Sequence, residues 1–411
     1  MNTFAQLPAP TRRNLILMML GGLCFWACMA SFLPVLPLYL TDTIGVNSQE
    51  LGIVMGAFAV GLLLFRPQMG PLVDRQGLKR VLLLGIFVAA IAPLFYTVAP
   101  NAGLMIAVRI FHGLSIAAFT TSYSTITADL APPENRGELI GYMSLVNPIG
   151  MALGPALGGY LQPLIGGRQV FLIGSGIAAL SLLFSSLVQV CPREPNANGP
   201  QVAQSSWKLL RSDRLKVPTI SMTAVGLAFG VIIVYLPLFV KEQGLTMNVG
   251  LFYTMTAIAS FVIRLMSSKA SDRLGRGLFI TIGLLFYVVS MIMLWQADSV
   301  ATVLAAGLVE GCGGGLVLPM MIVLLTDRCD PQERPRAFSL CIGGFDLGMF
   351  LAGPCVGVLA PWIGYRGLFA MAAIVATVAT LIFATQSNSS LPYSLRFALG
   401  RGRDRYALPK G

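Results

Sequence analysis

The chain has 411 residues, of which 55% are hydrophobic and only 11% charged, with a mean hydropathy of +0.76. A soluble domain carries about 25% charged residues, so this composition excludes a water-covered globule, and the hydrophobic excess excludes a disordered chain. The net charge of +11 would suggest nucleic acid in a soluble domain, but its distribution along this chain has another explanation, and no nucleic-acid partner is expected.

A membrane-spanning helix needs about 20 mostly apolar residues. Twelve such runs follow in chain order: 14–40, 50–72, 79–99, 102–127, 137–162, 169–191, 216–240, 247–270, 277–297, 300–325, 336–361 and 366–386. The first is too long for the apolar core of a signal peptide and is read as a helix. With both termini placed in the cytoplasm, 22 of the 28 Lys and Arg residues fall on the inner side. Three (Arg168, Lys241, Arg366) fall outside and three (Arg66, Arg109, Arg264) lie within spans. That asymmetry predicts an N-in, C-in topology by the positive-inside rule, and it accounts for the net charge. The fold class is therefore an all-α polytopic membrane protein. Residues 1–191 form an N-terminal six-helix bundle, 192–215 a cytoplasmic linker, 216–386 a C-terminal six-helix bundle and 387–411 a basic cytoplasmic tail. Residues 207–211 of the linker suit a helix lying on the inner surface. The Ser/Arg-rich tail is expected to be disordered and in reach of anionic lipid. The seven cysteines contain no CxxC pair and there is one His. A disulfide framework, a zinc site or a His-cluster metal centre is not expected; neither metal nor cofactor is predicted.

The two halves repeat at an offset of about 198–200 residues. Leu36-Pro37-Leu38-Tyr39-Leu40 echoes Leu236-Pro237-Leu238-Phe239-Val240, and Arg66 echoes Arg264. Asp74-Arg75-Gln76-Gly77 echoes Asp272-Arg273-Leu274-Gly275, Asp129 echoes Asp327, and Gly154-Pro155 echoes Gly353-Pro354. Matches in one order mark a duplication, giving two pseudo-symmetric six-helix bundles in parallel repeat, an architecture suited to alternating access.

Four segments carry a family resemblance. Gly70-Pro71-Leu72-Val73-Asp74-Arg75-Gln76-Gly77-Leu78-Lys79-Arg80 resembles the G-x-L-x-D-R-x-G-R-K/R loop of the major facilitator superfamily. Gly150-Met151-Ala152-Leu153-Gly154-Pro155-Ala156-Leu157-Gly158-Gly159 resembles its G-x-x-x-G-P-x-x-G-G antiporter motif. Arg109-Ile110-Phe111-His112-Gly113 is similar to its R-x-x-Q-G motif, with His in place of Gln, and Leu33-Pro34-Val35-Leu36-Pro37 resembles the Pro-rich stretch of twelve-helix drug/proton antiporters. The resemblance spans nearly the whole chain. It implies a secondary transporter whose gating loop is Gly70, Asp74, Arg75, Gly77, Lys79, Arg80 and Asp129, with Asp272 and Arg273 as the second-half copy. It also implies an antiporter-motif helix carrying Gly150, Gly154, Pro155, Gly158 and Gly159.

Physical reasons support these motifs independently. A carboxylate at the end of the second span can pair with a basic group or cap an opposing helix; topology alone requires only the cations. The spaced glycines of the fifth span permit close helix approach, and Pro155 removes one backbone bond and bends the helix. Plain packing is the competing account for that face, as headgroup snorkelling is for Arg66 and Arg264.

An ionisable group at mid-membrane costs about 2.5–3.5 kcal/mol on insertion scales, so it persists where paired, wet or functional. Arg109, His112, Glu310 and Asp346 are the candidates for proton and substrate binding. At about 1.5 Å per residue, His112 and Glu310 lie at equal depth, and the repeat offset places them at equivalent positions. A carboxyl group there is suited to hold a proton and release it when a cation approaches. A static structural pair is the alternative. The first span carries no acid, unlike many drug/proton antiporters, so coupling is expected at Glu310 or Asp346 or not at all. Phe25, Trp26, Phe119, Tyr123, Phe229 and Tyr235 are candidate cavity aromatics suited to lipophilic compounds, although helix packing alone would also use them.

The sequence carries no nucleotide-binding loop and no G-x-S-x-G turn, and an enzyme is not expected. The reading is a monomeric, proton-coupled exporter, in the bacterial plasma (inner) membrane, of a small lipophilic or amphipathic compound. A facilitator or proton symporter for a metabolite is the alternative, and a non-transporting receptor is a more distant one.

Overall fold

The computed structural model describes residues 7–132, 136–190, 212–330, 333–402 and 404–408; within these, the side chains of 136–138, 268–269, 272–273 and 335 are not described. The linker helix expected at 207–211, and most of the linker, lie outside the described residues.

Twelve helices are long and apolar enough to cross a membrane. They are α1 (Ala9–Ile44), α2 (Ser48–Gln76), α3 (Leu78–Val98), α4 (Ala102–Leu130), α5 (Leu139–Ile165), α6 (Gly167–Ser186), α7 (Asp213–Glu242), α8 (Gly250–Ser267), α9 (Arg276–Trp295), α10 (Val300–Arg328), α11 (Arg336–Gly357) and α12 (Ala360–Gln386). The described residues form helices and turns, with no strand among them. Several helices outrun the apolar stretches that predict them because polar caps extend them past the hydrocarbon. Asn47 starts α2 with a reciprocal box: its Oδ1 accepts from the Gln49 and Glu50 amides, and its own amide donates to Glu50 Oε2. Such a box satisfies helix-end donors that would otherwise be orphaned. Asn101 and Ser299 cap α4 and α10 more simply, their side-chain oxygens accepting from the Leu104 and Thr302 amides.

The boundary between α11 and α12 differs from the expected 361/366. The long helix of α11 stops at Ala352, a short turn spans Pro354–Gly357, and Gly364 breaks the start of α12 at φ 67°. Hydropathy does not register these breaks, because glycine and proline interrupt an apolar run without lowering its mean.

By its internal contacts the chain divides into two compact units, residues 1–199 with 248–254, and residues 200–247 with 255–411. Within the first, α1 packs on α5 and α6, α2 on α4, and α3 on α4 and α6; within the second, α7 packs on α11 and α12, and α9 on α10 and α12.

The tail departs from the expected disorder. A further helix, α13 (Leu391–Ala398), buries Ser394, Phe397 and Ala398, with the Phe397 ring 6.3 Å from Phe383 of α12. The segment beyond it is tied to the end of α10. Arg328 is fully buried, with Nε donating to Asp404 Oδ2 at 2.7 Å, Nη1 to the Arg214 carbonyl at 3.0 Å and Nη2 to the Ser387 carbonyl at 2.7 Å. Its guanidinium lies over the Phe397 and Tyr406 rings, at 5.8 and 5.2 Å. Burial, with the Asp213 carboxylate as a second cause, pushes the Tyr406 phenol up from its ordinary value, so that ring meets Arg328 uncharged. Composition suggests disorder because it counts the tail's cations; it does not register that a buried arginine elsewhere requires the tail's one acid.

Candidate functional site

The motif loop between α2 and α3 reduces to one residue. Gly77 has φ 86° and ψ 154°, its amide donates to the Val73 carbonyl at 2.8 Å, and α3 begins at the next residue. A side chain is strained at that φ, which accounts for the glycine. Asp74 and Arg75 ride the exposed last turn of α2; Lys79 is half-buried and Arg80 exposed on the first turn of α3. Arg75 suits a helix C-terminus, whereas two cations at a helix N-terminus oppose the helix dipole. Gly70 and Asp129 are exposed. In the second half Gly275 has φ 88°, while the side chains of Asp272 and Arg273 lie outside the described residues. The second copy of Asp129, Asp327, pairs with Arg276 at 2.5 Å.

The small face of α5 packs against α1. A Cβ at Gly150 would meet Trp26 and the Ala27 amide; at Gly154 it would overlap the Ala27 carbonyl oxygen, and at Gly158 that of Ser31. Pro155 is buried on the same face. Gly159 lies beside Asn248 of the same unit, whose Nδ2 donates to the Ala156 carbonyl at 3.3 Å. The second unit has an equivalent on the N-terminal side of its Gly353-Pro354 pair. Gly344 and Gly348 of α11 admit the backbone of α7 at Thr219 and Thr223. The legible signal was the four-residue spacing of small residues, which continues to Ala352.

Three of the six candidate aromatics share a cavity. Trp26, Phe119 and Tyr123 line a space of about 220 Å³ in the first unit, together with Thr120, Ser124 and Asn147. Phe25 lies behind it, stacked on Phe119 with centroids 3.7 Å apart, and Phe119 stacks on Tyr123 at 4.9 Å. Phe229 and Tyr235 are elsewhere, in the second unit. Phe229 meets the Phe345 ring at 5.8 Å; Tyr235 is fully buried and donates to the Gly353 carbonyl at 3.2 Å. Tyr235 therefore braces the break in α11. The polar residues Thr120, Ser124 and Asn147 were missed because single hydroxyls and amides on an apolar helix carry no pattern.

The four ionisable candidates are not among the residues that line that cavity. Arg109 spans from α4 to α2, with Nη2 donating to the Met55 carbonyl at 3.1 Å and its guanidinium 4.6 Å from the Phe58 ring centre. His112 is fully buried, with Nδ1 2.7 Å from the Tyr96 hydroxyl and the rings of Phe32, Phe58 and Tyr96 around it. The Tyr96 hydroxyl also interacts with Arg109, giving a chain Arg109–Tyr96–His112 inside the first unit. Glu310 is 2% exposed inside the second unit. The hydroxyls of Thr256 and Tyr287 are hydrogen-bonding neighbours of its carboxyl group, but among the described residues its Oε2 has no partner. Asp346 is 4% exposed on α11, next to Phe345. The four candidates fall two in each unit. Arg109 with His112, and Glu310 with Tyr287 and Thr256, make two separate polar cores.

The backbone around those cores repeats. A Cβ at Gly113 would meet the Phe58 carbonyl, and one at Gly311 would overlap that of Thr256. Both pairs are related by the same offset, so His112 and Glu310 occupy equivalent places in equivalent helix pairs.

The family model of the Major Facilitator Superfamily matches residues 18–297 and 250–396. The multidrug resistance protein MdtG of Serratia proteamaculans is 26% identical over 388 residues, covering 90% of this chain and 93% of that protein. The quinolone resistance protein NorA of Staphylococcus aureus is 26% identical over 183 residues, 43% of this chain and 47% of that one. Among solved structures, the nucleoside transporter NupG superposes with a TM-score of 0.75 at 14% identity, over 91% of this chain and 98% of that one. An occupied, inward-facing bacterial homologue of the lysosomal transporter Spinster superposes with a TM-score of 0.76 at 15% identity, over 97% and 100%. At these identities the structural likeness speaks for the fold. With its twelve apolar helices and a family match over most of its length, this chain is an integral membrane transporter belonging to the Major Facilitator Superfamily.

Proposed function

We propose that the chain is a proton-coupled antiporter, exporting a small lipophilic or amphipathic organic compound across a bacterial inner membrane by alternating access and acting as a monomer. The observation that carries the coupling is Glu310: a carboxyl group 2% exposed, with one oxygen that has no partner among the described residues. A buried carboxylate with an unsatisfied oxygen is costly, whereas the neutral carboxylic acid costs much less to keep out of water. Deprotonation then leaves an uncompensated charge inside the second unit, and that difference between two states is what a proton gradient can drive. Asp346 is the other candidate for the coupling role, and Arg109 with His112 would tune substrate binding.

The substrate class rests on the cavity lined by Trp26, Phe119 and Tyr123, which offers aromatic faces with a few hydroxyl and amide groups. Such a lining selects apolar or planar compounds with modest polarity. The names of MdtG and NorA, drug- and quinolone-resistance proteins, point the same way. The gating role of Asp74, Arg75, Lys79, Arg80 and Asp129, with Asp272 and Arg273 in the second half, belongs to this reading too. So does the rocking contact of Gly150, Gly154, Pro155, Gly158 and Gly159.

Proteoliposomes holding a pH-sensitive dye test the proposal, with a proton gradient imposed and lipophilic cations, neutral drugs, nucleosides and sugars added in turn. Substrate-triggered proton flux in the native protein, abolished by Glu310→Gln or by Asp346→Asn, is the expected result. Substrate movement without proton flux, unchanged in both variants, would instead make the protein a facilitator with structural acids.

A further inference from the structure

The tail presents a surface that the transport reading does not use. Only four residues (387–390) separate the end of α12 from α13, so α13 is held close to the level at which the chain leaves the bilayer. Its orientation is fixed from inside. Phe397 packs over Gly277, and Ser394 Oγ donates to the Asn388 carbonyl and accepts from its amide. Asp404 closes the strap on Arg328 through both of its carboxylate oxygens. The opposite face of α13 and the residue following it expose Leu391, Tyr393, Leu395 and Leu399. Arg396, Arg401 and Arg405 are exposed with them, and the Arg405 guanidinium lies 3.4 Å from the centre of the Tyr393 ring.

The charge balance of this face is one-sided. Asp404 is the only acid among residues 387–411, and it is committed to Arg328; every other charge there (Arg396, Arg401, Arg403, Arg405, Lys410) is a cation. A second copy of the same face would repel it. A short helix with leucines and arginines on one face, next to the end of a spanning helix, suits the boundary between acyl chains and anionic headgroups. We propose that the outer face of α13 docks on anionic phospholipid. Leu391, Leu395 and Leu399 enter the headgroup layer, and Arg396, Arg401 and Arg405 pair with lipid phosphates. Because the strap ends on Arg328, the lipid contact bears on the end of α10.

The test uses the full-length protein in nanodiscs of phosphatidylcholine alone or of phosphatidylcholine mixed with phosphatidylglycerol. Leu395→Trp places a reporter on an exposed position of the outer face. The added indole emission is expected to shift to the blue and to be quenched by chain-brominated lipid in the mixed discs. High salt, or Arg396→Gln with Arg401→Gln, should reverse both changes. In the native protein, amides 391–399 should exchange hydrogen several-fold more slowly in mixed discs than in neutral ones. An indole quenched by aqueous iodide equally in both discs, with unchanged amide exchange, overturns the proposal and leaves the strap purely structural. A blue shift that depends on protein concentration in lipid-free detergent also overturns it, in favour of contact between copies.

Discussion

The two six-helix units share a backbone and differ in their chemistry. Gly77 and Gly275 break the chain at φ 86° and 88°, and Gly166 and Gly364 break it again at φ 86° and 67°, each pair at the repeat offset. The aromatic corner near the start of the last helix also recurs. Tyr39 meets Phe171 at 5.0 Å, and Phe239 meets Phe369 at 5.3 Å. Arg168 donates to the Tyr39 hydroxyl, while Arg366 stands over the Phe239 ring and donates to Gln243 and Asp298. Against this shared frame, His112 stands opposite Glu310. The aromatic cavity residues Trp26, Phe119 and Tyr123 correspond to Gly226, Val317 and Met321, and Leu130 corresponds to Arg328. What survives duplication is what close packing and positive φ require. What diverges is the polar and aromatic chemistry carried on that frame.

The strongest way to break this comparison is at Arg328. Removing one partner of a buried ion pair leaves an uncompensated charge and costs about 3–5 kcal/mol. Arg328→Met, which makes the second unit resemble the first at that position, should therefore lower the thermal midpoint in detergent clearly and free residues 391–408 to proteolysis. Combining it with Asp404→Leu should restore much of the loss, because replacing both partners with apolar groups is often neutral. Leu130→Met in the first unit should leave the midpoint almost unchanged. A single-variant loss no larger than that of Leu130→Met would show that the strap contributes little to the fold.

The cavity residues sharpen the comparison next. Tyr123→Ala should weaken binding of an aromatic substrate about tenfold, or about 1.4 kcal/mol, within the range of stacking and burial terms for one ring. At the equivalent position, Met321→Ala removes a fully packed side chain. It should lower thermal stability while leaving the substrate Kd of the remaining folded protein unchanged. Tryptophan-fluorescence titration beside thermal unfolding separates the two effects. Equal losses of affinity would place substrate recognition in both units alike.

These contrasts also mark how far the sequence alone is informative. Twelve spans, the duplication and the family resemblance follow from hydropathy and from glycine, proline and charge at fixed spacing, because those features act locally. The buried position of His112 among Phe32, Phe58 and Tyr96 does not, since three helices contribute to it. The same holds for Tyr235, which lies outside the aromatic cavity and donates to the Gly353 carbonyl. Composition marked the tail as disordered because its order depends on Asp404 reaching Arg328, 76 residues away. Glu310 is the opposite case: its depth and its repeat partner are legible, but that its Oε2 has no partner among the described residues depends on the surrounding helices.

The mildest prediction tests the shared frame itself. Gly77→Ala and Gly275→Ala each force a side chain into a positive-φ extended conformation that is essentially glycine-only, at a cost of roughly 1–3 kcal/mol. A Cβ at Gly77 would meet no atom within 4 Å, and at Gly275 only the Gly400 Cα, at 3.9 Å. Backbone strain is therefore the whole effect at both sites, with no clash added. Equal, small decreases in thermal midpoint should follow, with the double variant additive, because distant independent sites add. Unequal decreases would mean that one loop has a second duty. The α2–α3 loop is then the one to suspect, since Asp74, Arg75 and Arg80 lie exposed beside it. If Gly77→Ala slowed transport at unchanged stability, while Gly275→Ala did not, gating would be assigned to the first copy of the motif and the second copy left as packing.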